Sequence, residues 1–132
     1  MGRMSPRAVL LRWLPAVGMM MAIFAFSSLP ASRIPYFGDL DLLVKKGGHA
    51  IGYALLAVAY FWALPPRLAS GYRAVLAVMM ALLFALSDEF HQSFVEGRTS
   101  ALRDVAIDTA GASVAVFFAI LYSSNSRSSN GS

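Results

Sequence analysis

Long apolar runs alternate with short polar breaks four times along this chain. From about Ala8 to Ser28 nearly every position is apolar, with Arg12 and Trp13 near the start and Pro15 a kink rather than a stop. Pro30, Pro35 and Gly38 then mark a surface loop. A second apolar segment opens at Asp39 or Asp41, either of which can cap a helix, and runs to Leu64, where Pro65-Pro66 stops it. A third rises from about Tyr72 to Gln92, unbroken by any polar residue between Val75 and Leu86. Phe94 to Ser100 reads as a turn, after which Arg103-Asp104 opens a fourth segment extending to about Tyr122. Each segment has the roughly 20 residues that a helix needs to cross hydrocarbon. The pattern predicts an all-α fold, a four-helix transmembrane bundle over residues 1–122. Residues 123–132 are serine, asparagine, glycine and one arginine, with nothing to bury, and are expected to be disordered.

Composition agrees with lipid as the solvent. The 132 residues are 58% hydrophobic and 14% charged, where soluble domains average about a quarter charged. The net charge of +4 therefore reads as cytoplasmic ends and anionic headgroups rather than nucleic acid, for which no motif is present. Without cysteine there is no disulfide framework and no thiolate metal site. The basic start followed by an apolar run also describes a secretory signal peptide, but the run is long and Leu29-Pro30-Ala31 is a poor cleavage site.

Charge is divided between the two ends of the segments. Arg3, Arg7, Arg12, Arg67, Arg73 and Arg127 fall on one side without an acid. Asp39, Asp41, Asp88, Glu89, Glu96, Asp104 and Asp108 fall on the other with Arg33, Lys45, Lys46, Arg98 and Arg103. By the positive-inside rule both termini of this multi-pass chain are expected in the cytoplasm, with the acidic end facing outward.

Three segments bring chemistry to that acidic end. Lys46, His49 and Tyr53 follow i, i+3, i+7 spacing along one helical stripe, beside a Gly48/Gly52 pair that would admit a close helix neighbour. Asp88 and Gln92 share a face at i, i+4, while Glu89 points about 100° away, so one of the two adjacent acids is expected to face inward, with Asp88 preferred. Asp104, Asp108 and Gly111 recur at i, i+4, i+7, and Arg98 precedes them. His49 and Asp108 lie about 7 to 10 Å past their helix starts, below the headgroups. Charges at that depth cost several kcal/mol unless paired or hydrated. These residues are therefore expected to face one another across a small aqueous pocket.

The run Lys46, His49, Tyr53, then Ser87-Asp88-Glu89, Gln92, Phe94, Gly97-Arg98, then Asp104 and Gly111, resembles the VanZ-like family of small bacterial membrane proteins, and Phe26-Ser27-Ser28 fits as well. The likeness spans nearly the whole chain except the tail. It implies a cell-envelope protein, the family's founding member being linked to resistance to the glycopeptide teicoplanin, and it defines no reaction. Two positions depart from the pattern. Asp108 stands where an amide is usual, which calls for a proton or a pairing with Lys46 or Arg103. Lys45 stands where an acid often precedes the motif lysine.

As chemistry, the pocket suits acid and base work on a polar or anionic group. His49, Asp88, Glu89 and Asp104 are the candidate acids and bases. Lys46, Tyr53, Gln92, Arg98 and Asp108 are the candidate ligand-binding residues, Arg98 being suited to bidentate contacts. A lipid-linked or cell-wall precursor, among membrane lipids, is the expected partner, bound and in an enzymatic reading modified. The competing readings are a structural ion-pair network without catalysis and a small transporter, for which the basic ends offer no acid or histidine partner. No paired metal-ligand motif, cofactor motif or nucleophile elbow is present.

Overall fold

A computed structural model describes residues 4–129. It contains four long helices: α1 (Pro6–Ser27), α2 (Asp41–Ala63), α3 (Ser70–Gln92) and α4 (Leu102–Ser129). All four are long and apolar enough to cross a membrane, the shortest having 22 residues, or about 33 Å at 1.5 Å per residue. Four such helices fit a multi-pass membrane protein.

The helix boundaries follow local chemistry. The Ser5 hydroxyl accepts the Ala8 N–H, and Pro6 occupies the first turn, where its missing N–H costs nothing. α1 continues through Pro15 to Ser27. Short 3-10 turns at Ala31–Arg33 and Gly38–Leu40 carry the chain to α2. Neither Asp39 nor Asp41 caps α2 as expected. Asp41 is its first residue and instead accepts the Phe37 N–H at 3.1 Å and pairs with Lys45 at 2.8 Å. Leu64 turns extended at the end of α2, ahead of the two prolines that cannot continue it.

α4 also differs from expectation, passing Tyr122 and reaching Ser129. Serine hydroxyls in this last stretch donate to carbonyls three or four residues back, as Ser126 does to Tyr122 at 2.9 Å and Ser128 to Asn125 at 2.8 Å. Local bonding of this kind has no signature in hydrophobic periodicity. Residues 130–132 of the tail lie outside the described residues.

α2 is the centre of the bundle. It packs on all three other helices, most extensively on α4, while α1 packs on α2 and little on α3 and makes no helix contact with α4. The core is built from aliphatic and aromatic side chains, including Leu56, Ala57 and Phe61 of α2, Ala77, Ala81 and Ala85 of α3, and Ala112 and Val116 of α4. The outward residues are large and apolar, such as Leu10, Met21, Leu43, Leu83 and Phe118. That is the distribution expected where hydrocarbon, not water, surrounds the bundle.

Because one helix separates them, α2 and α4 run parallel, and both begin at the end where α1 and α3 finish. Their register is set by a close approach. A Cβ built on Gly111 would lie 3.0 Å from the Ala50 carbonyl oxygen, so glycine lets the two backbones meet more closely than a side chain would allow without their parting by a few tenths of an ångström. The expected close approach at Gly48 and Gly52 does not occur. A Cβ on Gly48 would touch nothing, and one on Gly52 would make ordinary contact with Ile23 at 3.7 Å. The missing side chains there open a crevice instead of sealing an interface.

A polar pocket at the end shared by three helices

The parallel register turns two sequence stripes into facing pairs. With Ala50 against Gly111, His49 and Lys46, just before Ala50 and one turn before it on α2, meet Asp108 and Asp104, about one and two turns before Gly111 on α4. Lys46 Nζ bonds Asp104 Oδ1, and His49 Nδ1 lies 3.9 Å from Asp108 Oδ2. Asp108 is 2% exposed, and its expected pairing with Lys46 or Arg103 is not seen. Lys46 is held by Asp104, and Arg103 is exposed. The other charges acting on Asp108 come from Glu89, Asp104 and Asp88 as well as Lys46.

Both acids at the end of α3 turn inward, not one. Asp88 is 3% and Glu89 6% exposed. The 100° between them is accommodated because this end of α3 is covered on two sides. Asp88 faces α1, where Ser27 donates to its Oδ2 at 2.7 Å and Gln92 Nε2 reaches the same oxygen at 3.2 Å and Ser27 Oγ at 3.1 Å. Glu89 faces the loop before α4 and accepts the Ala101 N–H at 3.0 Å. Asp88 is thus engaged in a small buried network, whereas Glu89 lines open space.

That space is a cavity of about 240 Å³ whose walls include Lys46, His49, Glu89, Gln92, Arg98, Asp104 and Asp108. Seven of the nine residues singled out by the sequence therefore border one cavity. Asp88 and Tyr53 do not. Tyr53 is buried beneath, where its hydroxyl and Asp88 Oδ1 both lack a hydrogen-bond partner, and the largest charge acting on that hydroxyl is that of Asp88. Among the described residues no group of three histidine or carboxylate side chains is placed to hold a metal ion.

Arg98 hangs at the rim. Its turn depends on Gly97, whose φ of +73° favours glycine, and whose would-be Cβ would sit 2.9 Å from that of Ala31. The Glu96 carbonyl accepts the Ala31 N–H at 3.2 Å, fastening this turn to the loop after α1. One Arg98 terminal nitrogen donates to the Phe26 carbonyl at 3.1 Å, the guanidinium carbon lies 5.8 Å from the centre of the Phe26 ring, and Nε is buried without a partner. Among the described residues it forms no ion pair. Burial pushes its guanidinium below the ordinary arginine value, and the charges of Asp88 and Glu89 offset this in part.

The order of these residues along the chain, on an all-helical frame, agrees with a match to the family model described as VanZ/LLP1 over residues 9–123. The chain belongs to the VanZ/LLP1 family. Among curated proteins and among solved structures, nothing matches it. In this VanZ/LLP1 chain the matched span takes in every helix contributing to the cavity and ends within α4.

Sequence reasoning gave no role to several residues that complete the site. The sequence presents Ser27 and Ser28 only as part of the Phe26-Ser27-Ser28 run, yet Ser27 ties α1 to Asp88 and Ser28 Oγ lies 2.9 Å from His91 Nε2. Their signal was two adjacent hydroxyls where an apolar helix ends. His91 also stacks on Phe24 at 4.5 Å between ring centres, away from the cavity. A second, apolar crevice of about 290 Å³ lies between α1 and α2, lined by Ala22, Ile23, Phe26, Gly48, Gly52, Tyr53 and His49. His49 is thus a wall common to the polar cavity and the crevice.

Proposed function

We propose that this VanZ/LLP1 protein resides in the bacterial inner membrane with both termini in the cytoplasm, and that its outward-facing polar cavity binds the anionic headgroup of an envelope component. The component is an amphiphile such as a lipid-linked cell-wall precursor. Glycopeptide resistance, by sequestering or altering such a component, is the physiological setting this reading suggests. The observation that carries it is Arg98, a cation at the rim with its Nε buried and unpartnered and with no carboxylate bonded to it. Lys46, by contrast, is already neutralised by Asp104. The other terminal nitrogen of Arg98 makes no hydrogen bond among the described residues and is left for a phosphate or carboxylate. The adjoining apolar crevice supports a ligand with a hydrocarbon chain, since His49 borders both spaces.

In a catalytic version, Glu89 and Asp104 on the cavity wall, with His49 of α2 facing Asp108 of α4, exchange protons with the bound group. In a purely structural version the polar residues only fix helix packing, and the enclosed Ser27, Asp88 and Gln92 network favours that role for Asp88 in particular. The test is to purify the wild type and Arg98→Ala in native lipid and identify the bound molecules by mass spectrometry. A phosphate- or carboxylate-bearing amphiphile enriched in the wild type and lost from the variant is expected. Identical lipid profiles overturn the reading.

A further inference from the structure

The opposite end of the bundle holds a second charged cavity, of about 430 Å³, and its chemistry is of one sign. Its walls are Arg12 of α1, Trp62 at the end of α2, Arg73 of α3, and Ser123, Ser126 and Arg127 of α4. All seven acidic residues lie at the other end. Arg73 is 2% exposed, its guanidinium 4.2 Å from the centre of the Phe61 ring, and it donates to the Phe61 carbonyl through two nitrogens at 3.2 and 2.6 Å. Arg12 donates to the Trp62 carbonyl and, at 3.1 Å, to that of Leu64, while its Nε is buried without a partner.

These two arginines satisfy the end carbonyls of α2, but that does not balance their charge. A helix C-terminus is equivalent to about half an elementary negative charge. Against it stand three guanidinium groups, and the charges acting on Arg73 are those of Arg12 and Arg127, both repulsive. An anion is the missing counter-charge. Its source is indicated by the fold: the cavity lies between the ends of α1 and α4, which make no helix contact with each other, on helices long and apolar enough to cross a membrane. Trp62, 43% exposed, stands at its edge as interfacial aromatics do.

We propose that this basic cavity is a binding site for the phosphodiester headgroup of an anionic phospholipid, held by Arg12, Arg73 and Arg127. The site is independent of the polar cavity at the other end. Binding is tested on the full chain in dodecyl maltoside, by thermal melting and native mass spectrometry with dioleoylphosphatidylglycerol, dioleoylphosphatidylcholine or inorganic phosphate. The wild type should retain phosphatidylglycerol in preference to phosphatidylcholine. At about fivefold per arginine, Arg12→Gln with Arg127→Gln should weaken phosphatidylglycerol binding about 25-fold. Arg33→Gln, an exposed change at the other end, should leave it unaltered. Arg127 is exposed and makes no hydrogen bond within the described residues, so Arg127→Gln alone folds normally and should show the fivefold loss if the double variant does not fold. Equal affinity for the two lipids in the wild type, or phosphatidylglycerol binding unchanged by Arg127→Gln, overturns the site. Stabilisation by inorganic phosphate equal to that by phosphatidylglycerol overturns the lipid as its occupant.

Discussion

Gly111→Ala perturbs the contact that sets the register of the polar pairs. The added methyl would lie 3.0 Å from the Ala50 carbonyl oxygen and 3.6 Å from both the Ala50 carbonyl carbon and Cβ. The close neighbour is backbone in the middle of α2, which cannot rotate away, so the helices must part by a few tenths of an ångström. Overpacking of this order costs about 1–3 kcal/mol. Alanine is the better helix former by about 1 kcal/mol, so the net loss should be about 0–2 kcal/mol. Gly18→Ala isolates the contact, because a Cβ on Gly18 meets nothing within 4 Å. That variant should gain the helical preference without the clash, leaving a difference between the two of about 1–3 kcal/mol. Helical circular dichroism against the mole fraction of dodecyl sulfate in mixed micelles gives both values. Gly111→Ala as stable as Gly18→Ala would refute the claim that α2 and α4 meet backbone to backbone.

Gly97→Ala combines positive φ with a 2.9 Å approach to Ala31 and should cost about 1–3 kcal/mol, seen as a lower melting temperature; an unchanged midpoint would mean that this turn adjusts freely. A double-mutant cycle on Lys46→Met and Asp104→Leu should return a coupling of about 0.6 kcal/mol, the usual size for polar pairs between membrane helices, since both side chains keep about a quarter of their surface exposed; zero coupling in the same unfolding assay would disprove the pair. Ser27→Ala should cost about 1–3 kcal/mol, because it strips a hydrogen bond from a buried carboxylate, and Asp88→Asn should lessen that cost. Equal Ser27→Ala losses in both backgrounds would show that Ser27 and Asp88 act separately.

The apolar runs were enough to read four helices, because hydrocarbon on the outside demands about 20 consecutive apolar residues and leaves little choice of element. The meeting of Lys46 with Asp104 and of His49 with Asp108 was half legible. Helical spacing showed that each set shares a stripe, but not that the stripes face each other, since this depends on one glycine against one carbonyl. The glycine pair at Gly48 and Gly52 does not mark a backbone-to-backbone contact, because a small residue permits close approach without compelling it, and here α1 reaches Gly52 only through the Ile23 side chain. Asp88 and Glu89 were expected to divide between inside and outside. Both turned inward because the loop through Gly97 folds over α3, a tertiary cover that periodicity does not encode. The helix beyond Tyr122 is silent in the periodicity because it has almost no buried face, Ser123 being its one buried residue among those described.

The chain has no cysteine, so paired cysteines report on position without background. His49→Cys with Asp108→Cys, treated with a short bis-thiol-reactive cross-linker in membranes, should link α2 to α4 within one chain, as read by mass spectrometry of the digest. His49→Cys with Ser123→Cys should not, because residue 123 lies about 22 Å further along α4. A link in the second pair, or none in the first while both thiols still react singly, would contradict the convergence of the polar groups at one end of the bundle.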